Sequence, residues 1–447
     1  MNSAIDKPSP ANSQSANDPR SDLFPRGHLL PFILVTVLFF IWGMSNNLTD
    51  ILVQQFRKSF ELSPVQAQLV QTAVFLGYFC MALPAAICMR RWGYKFGILA
   101  GLCLFGSGTL MFWPAAVIGR YWLMLAALFV VGCGSATLET AANPFIAESG
   151  PSATSERRLN FSQAFNPPGT ITGVLIGTFF IFSGIELSAS KATLMKSQGT
   201  YAGYLHGEIM RVVPTYVSLG CAVFLLAVII GFTKFPNAPQ GHGTKQAGPL
   251  LRQIISLLRV PRLRASILAQ FCYCGAQVST WSAFIPYVRQ YTHSSERTAG
   301  LLLTGNLVAL AIGRLTSTGL MRWFNPGRMM GAYASINILL LTVTILHPGG
   351  LGAGAILLTS FFMSIMFPTI FAMGIKGLGP NTKLGGSLIV MSVVGAGMIP
   401  PILGLVAKHS GSYALGYTVV SACYLVVAIY SLNARSSTKA LTIPLPI

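Results

Sequence analysis

The feature that most constrains this chain is an apolar run of about 20 residues, long enough to span a bilayer, that recurs twelve times between short polar turns. As a helix, such a run crosses the hydrocarbon core and satisfies its backbone N–H and C=O groups internally, as lipid surroundings require. Only 9% of the 447 residues are charged, whereas ordinary soluble domains carry about 25%. The expected fold class is therefore an all-α membrane protein with both ends on the same side. The spans fall near 29–56, 65–89, 96–116, 121–147, 159–183, 212–233, 264–289, 298–321, 328–346, 351–375, 384–407 and 414–433.

A formal net charge of +19 raises nucleic acid as a partner. The basic residues, however, sit in the turns, where they meet anionic headgroups and fix orientation. The bilayer explains the charge, and no nucleic-acid partner is expected. Placing the N-terminus inside puts most of the 30 Lys and Arg residues in cytoplasmic segments, so both termini are expected there. Met1 to Arg26 is rich in Ser, Asn, Asp and Pro and reads as a disordered tail.

Between Lys234 and Arg264 the pattern breaks into a Pro/Gly-rich stretch, then a basic amphipathic segment, Leu251 to Arg264, suited to the inner membrane surface. Six spans lie on either side. Arg90-Arg91-Trp92-Gly93 after the second span is echoed by Arg322-Trp323-Phe324 after the eighth. The expected organisation is a tail (1–27), a six-helix bundle (28–234), a linker (235–263), a second bundle (264–434) and a tail (435–447), with a substrate site between the repeats at mid-membrane. Gly169, Gly173 and Gly177, and Gly97 with Gly101, form small-residue rows suited to close helix packing.

Polar side chains inside the spans are few and fall in stripes. In the fourth span Gly132, Ser135, Glu139 and Asn143 share one helical face. A carboxylate facing lipid at the bilayer centre costs ~2.5–3.5 kcal/mol on insertion scales, so Glu139 must face protein, water or a passing substrate. The first span carries Gly43, Asn46, Asn47, Asp50 and Gln54 on one face, and Asp50 and Glu139 are the only acids well inside the expected spans. A carboxyl beside a cavity in apolar surroundings can take and release a proton near neutral pH, which makes these two a candidate proton-coupling pair. The structural alternative for each is a neutral or paired carboxyl that only locks helices together.

In the fifth span Asn160, Gln163 and Asn166 follow in steps of three and end at Pro167-Pro168, where a kink is expected. The seventh offers Gln270, Tyr273, Gln277 and Trp281 along one face. Amides suit hydroxyl-rich ligands, because each can donate or accept a hydrogen bond without demanding a counter-charge. Trp281 and Trp42 are candidates to pack on a sugar ring, with lipid or core packing as the alternative. Arg314 lies in the eighth span and either reaches across to Glu139 or caps carbonyls and snorkels.

Other chemistries are not supported. The eight cysteines all fall within spans as small apolar fillers, no histidine lies deep in a span, and no P-loop is present, so no metal, no cofactor and no ATP dependence are expected. Asn47-Leu48-Thr49 matches a glycosylation sequon but lies within a span. With no nucleophile, base and oxyanion constellation, an enzyme is not expected.

The strings FFIWGMSNNLTDILVQQF (39–56), LETAANPF (138–145), RLNFSQAFN (158–166), LAQFCYCGAQVSTWS (268–282) and FMSIMFPTIFAMGIKGLG (362–379) resemble the L-fucose/proton symporter family of the major facilitator superfamily. The resemblance runs from about residue 28 to 434 and implies two six-helix bundles, alternating access, and monosaccharide uptake coupled to protons in a bacterial inner membrane, with a monomer as the expected unit. It also implies that Asp50 and Glu139 are protonatable and that Gln163 and Asn166 line a sugar cavity; Asn46, Asn47, Gln277 and Trp281 complete the expected substrate-binding set. Two departures stand out. The loop after the second span lacks the Asp of the superfamily's G-x-x-x-D-R-x-G-R-R pattern, and Met366-Phe367 is similar to glucose/galactose transporters rather than to the Gln-Tyr of fucose symporters. A hexose of that kind is the alternative cargo, and a drug or metabolite exporter or a sugar-sensing receptor are readings from other classes.

Overall fold

The computed structural model describes residues 29–62, 66, 69–181, 189–235, 250–294 and 296–433, apart from the side chains of Asp50, Thr178, Ala189, Glu296, Arg297 and Asn433. Every regular element among them is helical. The first half comprises α1 (Leu29–Ser59), α2 (Leu69–Leu110), α3 (Phe112–Ile118), α4 (Tyr121–Glu148), α5 (Ser155–Gln163), α6 (Asn166–Ile176), α7 (Ala189–Ser197), α8 (Tyr201–Met210) and α9 (Val212–Phe232). The second comprises α10 (Leu250–Leu258), α11 (Pro261–Ser282), α12 (Phe284–Thr292), α13 (Glu296–Leu320), α14 (Pro326–Leu346), α15 (Gly350–Met363), α16 (Met366–Ile375), α17 (Thr382–Met391), α18 (Gly395–Ser410) and α19 (Tyr413–Asn433).

Among the described residues, 10 helical segments are long and apolar enough to cross a membrane. One of them, Leu69–Ile118, has 50 residues, too many for a single crossing. It leaves helical geometry at Gly93, with φ 83° and ψ 176°. No heavy atom would meet a Cβ there, so the backbone angle rather than crowding calls for glycine. With α2 counted on both sides of that kink and α11–α12 added, the helices are consistent with twelve crossings.

Small residues set the helix spacing. A Cβ on Gly169 or Gly173 of α6 would overlap the carbonyls of Phe40 and Met44 in α1, and one on Gly43 would overlap the Asn166 carbonyl. In the second half Gly395 of α18 lies equally close to the Phe271 carbonyl of α11. With no hydrophobic force between helices in lipid, such close backbone contact supplies the dispersion energy that holds them.

Several crossings are broken near their middle. The fifth was expected to kink at Pro167-Pro168, but the break comes one turn earlier, at Ala164-Phe165, and both prolines sit in the first turn of α6. There a missing N–H costs nothing, because the first four amides of a helix lack intrahelical acceptors in any case. The tenth crossing breaks at Ser364-Ile365, and a 3₁₀ turn, Ser392–Val394, separates α17 from α18. The basic amphipathic segment is also shorter than expected. It ends at Leu258, and Pro261 opens the membrane helix α11. On α10, Leu251, Ile255 and Leu258 are exposed while Leu257 is buried.

The halves meet on the face that carries Leu29, Glu148 and Pro261. Lys376 Nζ is 3.0 Å from Glu156 Oε1. Lys383 Nζ donates to the Met89 carbonyl at 2.8 Å and lies 4.7 Å from the centre of the Tyr94 ring, whose hydroxyl donates to Glu148 at 2.7 Å. These contacts occupy the loop region that lacks the pattern's Asp. On the opposite face Glu208 of α8, buried, receives Gln55 Nε2 at 3.1 Å and Lys58 Nζ at 3.2 Å, tying down the end of α1.

Gly173→Val is expected to destabilise the fold by about 1–3 kcal/mol or to prevent its formation, because the new side chain must displace backbone. Gly203→Ala, where nothing lies within 4 Å, is expected to be silent. The thermal midpoints of the two purified variants in detergent check both.

Candidate functional site

Glu139 stands on α4 in mid-bundle, 3% exposed, on the side that faces the second half. Asn143, one turn on and fully buried, donates from Nδ2 to Glu139 Oε1 at 3.4 Å. The Asn143 Oδ1 accepts in turn from Gln163 Nε2 of α5 at 3.0 Å. Carboxyl and amides thus form one buried polar line, ending at the break in the fifth crossing. Tyr78 of α2 and Cys274 of α11 also lie against the carboxyl. Glu139 Oε2 is buried and has no hydrogen-bond partner among the described residues. A buried unpaired oxygen is costly, so it marks a position for a proton or a polar ligand.

On its other side Glu139 borders a narrow, part-open chamber between α1, α2, α4 and α9. Its walls are almost wholly apolar, with Phe39, Leu138 and Val223 beside Trp42, Ser135 and Glu139. A hydroxyl-rich ligand would find few partners there, and none of the amide stripes reaches it.

Arg314 resolves as a carbonyl cap that also crosses between halves. Its Nε donates to the Ser364 carbonyl at 2.7 Å and its Nη1 to the Gln163 carbonyl at 3.0 Å. One guanidinium therefore holds the carbonyls freed at two helix breaks. Alongside, Asn160 Nδ2 donates to Thr369 Oγ1 at 3.1 Å, a second link between halves.

The remaining sequence candidates are placed less centrally. Asn166 is half-buried and donates to the Phe39 carbonyl at 3.3 Å. Asn46 is exposed, and Asn47 and Gln277 are half-buried; none of the three has a hydrogen bond among the described residues. Trp281 is half-buried, and its indole N–H donates to Ser360 Oγ at 3.3 Å, which itself donates to Asn306 at 2.9 Å. Trp42 meets Phe367 across the halves, ring centres 6.4 Å apart, and Phe367 meets Tyr273 at 6.3 Å. Gln54 of the first stripe is exposed, and its neighbour Gln55 makes the buried contacts. The side chain of Asp50 lies outside the described residues.

Sequence reasoning passed over Tyr78, Cys274 and Thr369, as well as the pairing of Glu156 with Lys376. Each faces its partner only through tertiary packing, and no spacing signal marks it.

The profile described as Major Facilitator Superfamily matches residues 33–399. The L-fucose-proton symporter of Escherichia coli (strain K12) is 38% identical over 408 residues, 91% of this chain and 93% of that protein. The chain belongs to the L-fucose/proton symporter family of the major facilitator superfamily. Its relatives there include the glucose/galactose transporter of Brucella abortus biovar 1 (strain 9-941), 31% identical over 408 residues, 90% of this chain and 93% of that one. A crystal structure of a Major Facilitator Superfamily transporter in the outward conformation has a TM-score of 0.83 and 38% identity, covering 91% of this chain and 99% of that one. The fold is the all-α, membrane-spanning fold of the superfamily, and the chain is a multi-pass membrane transporter rather than an enzyme.

Arg314→Lys retains the charge but offers a single donor atom, so one of the two buried carbonyls loses its partner. The expected cost is about 1–3 kcal/mol, read as a lower thermal midpoint in detergent than that of the unaltered protein.

Proposed function

We propose that the chain imports a monosaccharide, L-fucose first among candidates, together with a proton by alternating access between its two halves. The observation that carries this reading is the buried line from Glu139 through Asn143 to Gln163, which joins a protonatable group to an amide at a broken helix. Uncharged amides in a crevice recognise hydroxyls, and a carboxyl held away from water exchanges protons only when a pathway opens to it. The named activity of the 38% identical relative agrees with it.

In this reading Glu139 changes protonation as cargo passes, and Asp50 passes the outer proton toward the cavity. Gln163, Asn166, Asn46, Asn47 and Gln277 hydrogen-bond sugar hydroxyls, while Trp281 packs on the ring. The bundles 28–234 and 264–434 rock about the site, joined by the linker 235–263. The surplus of Lys and Arg on the face of Leu29 and Pro261 supports cytoplasmic termini in a bacterial inner membrane. The cross-half contacts on that same face support an outward-facing arrangement, with the cytoplasmic exit closed.

A second cargo, glucose or galactose, is favoured by one observation. Met366 and Phe367 are apolar and buried at the centre, with Phe367 between Trp42 and Tyr273, where an amide or hydroxyl would otherwise meet a polar sugar edge. Uptake of labelled L-fucose in competition with a panel of sugars separates the two. Fucose as the strongest competitor, with alkalinisation of the medium, supports the first; glucose or galactose in that place supports the second. Export from loaded proteoliposomes without uptake would instead indicate an exporter.

Glu139→Gln is expected to abolish pH-driven accumulation of the sugar. Unchanged uphill uptake in that variant would remove Glu139 from the mechanism.

A further inference from the structure

We propose that Asn143 is a positioning residue that conveys the protonation state of Glu139 to the Gln163 amide, reversing the hydrogen-bonding group that Gln163 presents to a hydroxylated ligand. The proposal rests on the sugar-symport reading above and supplies its coupling step.

The order of donors and acceptors carries it. An ionised carboxylate can only accept, so Asn143 must turn its NH₂ toward Glu139, as it does at 3.4 Å. Its carbonyl oxygen is then committed to the other side, where Gln163 Nε2 meets it at 3.0 Å. Gln163 Oε1, which takes no hydrogen bond from the described residues, is the atom left for a ligand, and it can only accept.

Protonation inverts each link. When the proton sits on the carboxyl oxygen that faces Asn143, that oxygen turns from acceptor to donor, and its acceptor is Asn143 Oδ1. Rotation of the Asn143 amide by roughly half a turn then aims its NH₂ at Gln163, which answers with Oε1 and turns its own NH₂ outward. The ligand now meets a donor instead of an acceptor. One proton bonds to a Glu139 oxygen on loading and leaves from it on release, and no other covalent bond changes.

Two features of the surroundings suit such a relay. Glu139, Asn143 and Gln163 are each at most 3% exposed, so solvent competes little for their hydrogen bonds. Arg314 holds the Gln163 carbonyl from the other half, which lets the side chain turn while its main chain stays fixed. The titratable groups facing Glu139 are Tyr78 from α2 and Cys274 from α11. Arg314 is engaged with the carbonyls of Gln163 and Ser364, so no cation among the described contacts competes for the carboxylate.

The test is the affinity of the purified full chain for L-fucose, or for whichever sugar the competition panel selects, followed across pH values on both sides of neutrality. The unaltered protein should show a pH-dependent affinity spanning about 5–150-fold, the usual range of a coupling energy. Asn143→Ala should bind more weakly with that dependence lost, an effect that looser packing alone would not produce. Gln163→Met breaks the far end of the relay at similar volume and should flatten the profile too, which keeps the test open if Asn143→Ala does not fold. Glu139→Gln should be flat in either case. Retention of the full pH dependence by Asn143→Ala or Gln163→Met, beside a flat Glu139→Gln, would overturn the relay alone. Retention of it by Glu139→Gln would overturn the relay at its source and remove Glu139 from the mechanism, whereas sugar uptake by the unaltered protein without alkalinisation of the medium would overturn the symport reading itself.

Discussion

A helix broken inside a bilayer frees carbonyl groups that hydrocarbon cannot satisfy, and the architecture of this chain is arranged around answering them. The breaks at Ala164-Phe165 and Ser364-Ile365 lie in different halves, and Arg314 donates to a carbonyl at each, Gln163 at 3.0 Å and Ser364 at 2.7 Å. A guanidinium suits this task because its planar fork holds several donors at fixed angles and keeps its charge throughout. The contact also ties the halves together close to the polar line that ends at Gln163. Any movement that parts the halves at this level must find other partners for those carbonyls.

The distribution of charge divides the labour. Glu296, at the start of α13, is the last acid in the chain, so the two acids well inside the expected spans, Asp50 and Glu139, both belong to the first half. The second half contributes a cation, Arg314, together with hydroxyls and aromatic rings. At the face of Leu29 and Pro261 the halves are joined by Lys376 with Glu156 and by Lys383 with the Met89 carbonyl and the Tyr94 ring. Lys383 thus finds its acceptors in a carbonyl and an aromatic face, beside the loop that lacks the superfamily's Asp.

Apolar and polar surfaces are kept apart around Glu139. The chamber on one side of it is lined by hydrocarbon, whereas the amides that suit a hydroxylated ligand lie on the other side, along α4, α5 and α6. A carboxyl placed on that boundary is shielded from lipid and connected to a hydrogen-bonding surface. In the proposed function this geometry would suit fucose, glucose or galactose alike, since all offer hydroxyls, and contacts such as Phe367 between Trp42 and Tyr273 would choose among them.

Much of this was legible in the residue order. The apolar runs determined membrane-spanning helices, the glycine row Gly169–Gly173 determined a close helix contact, and the scarcity of acids within the spans singled out Asp50 and Glu139 as candidates. The motifs between residues 39 and 379 determined the family. Tertiary structure alone decided that Asn143 joins Glu139 to Gln163, that Arg314 caps two carbonyls instead of meeting Glu139, and that the fifth crossing breaks before its prolines. Helical periodicity shows which side chains share a face, but the partner opposite that face comes from a segment tens or hundreds of residues away. Which pairs meet depends on how two bundles dock, and no local spacing records it.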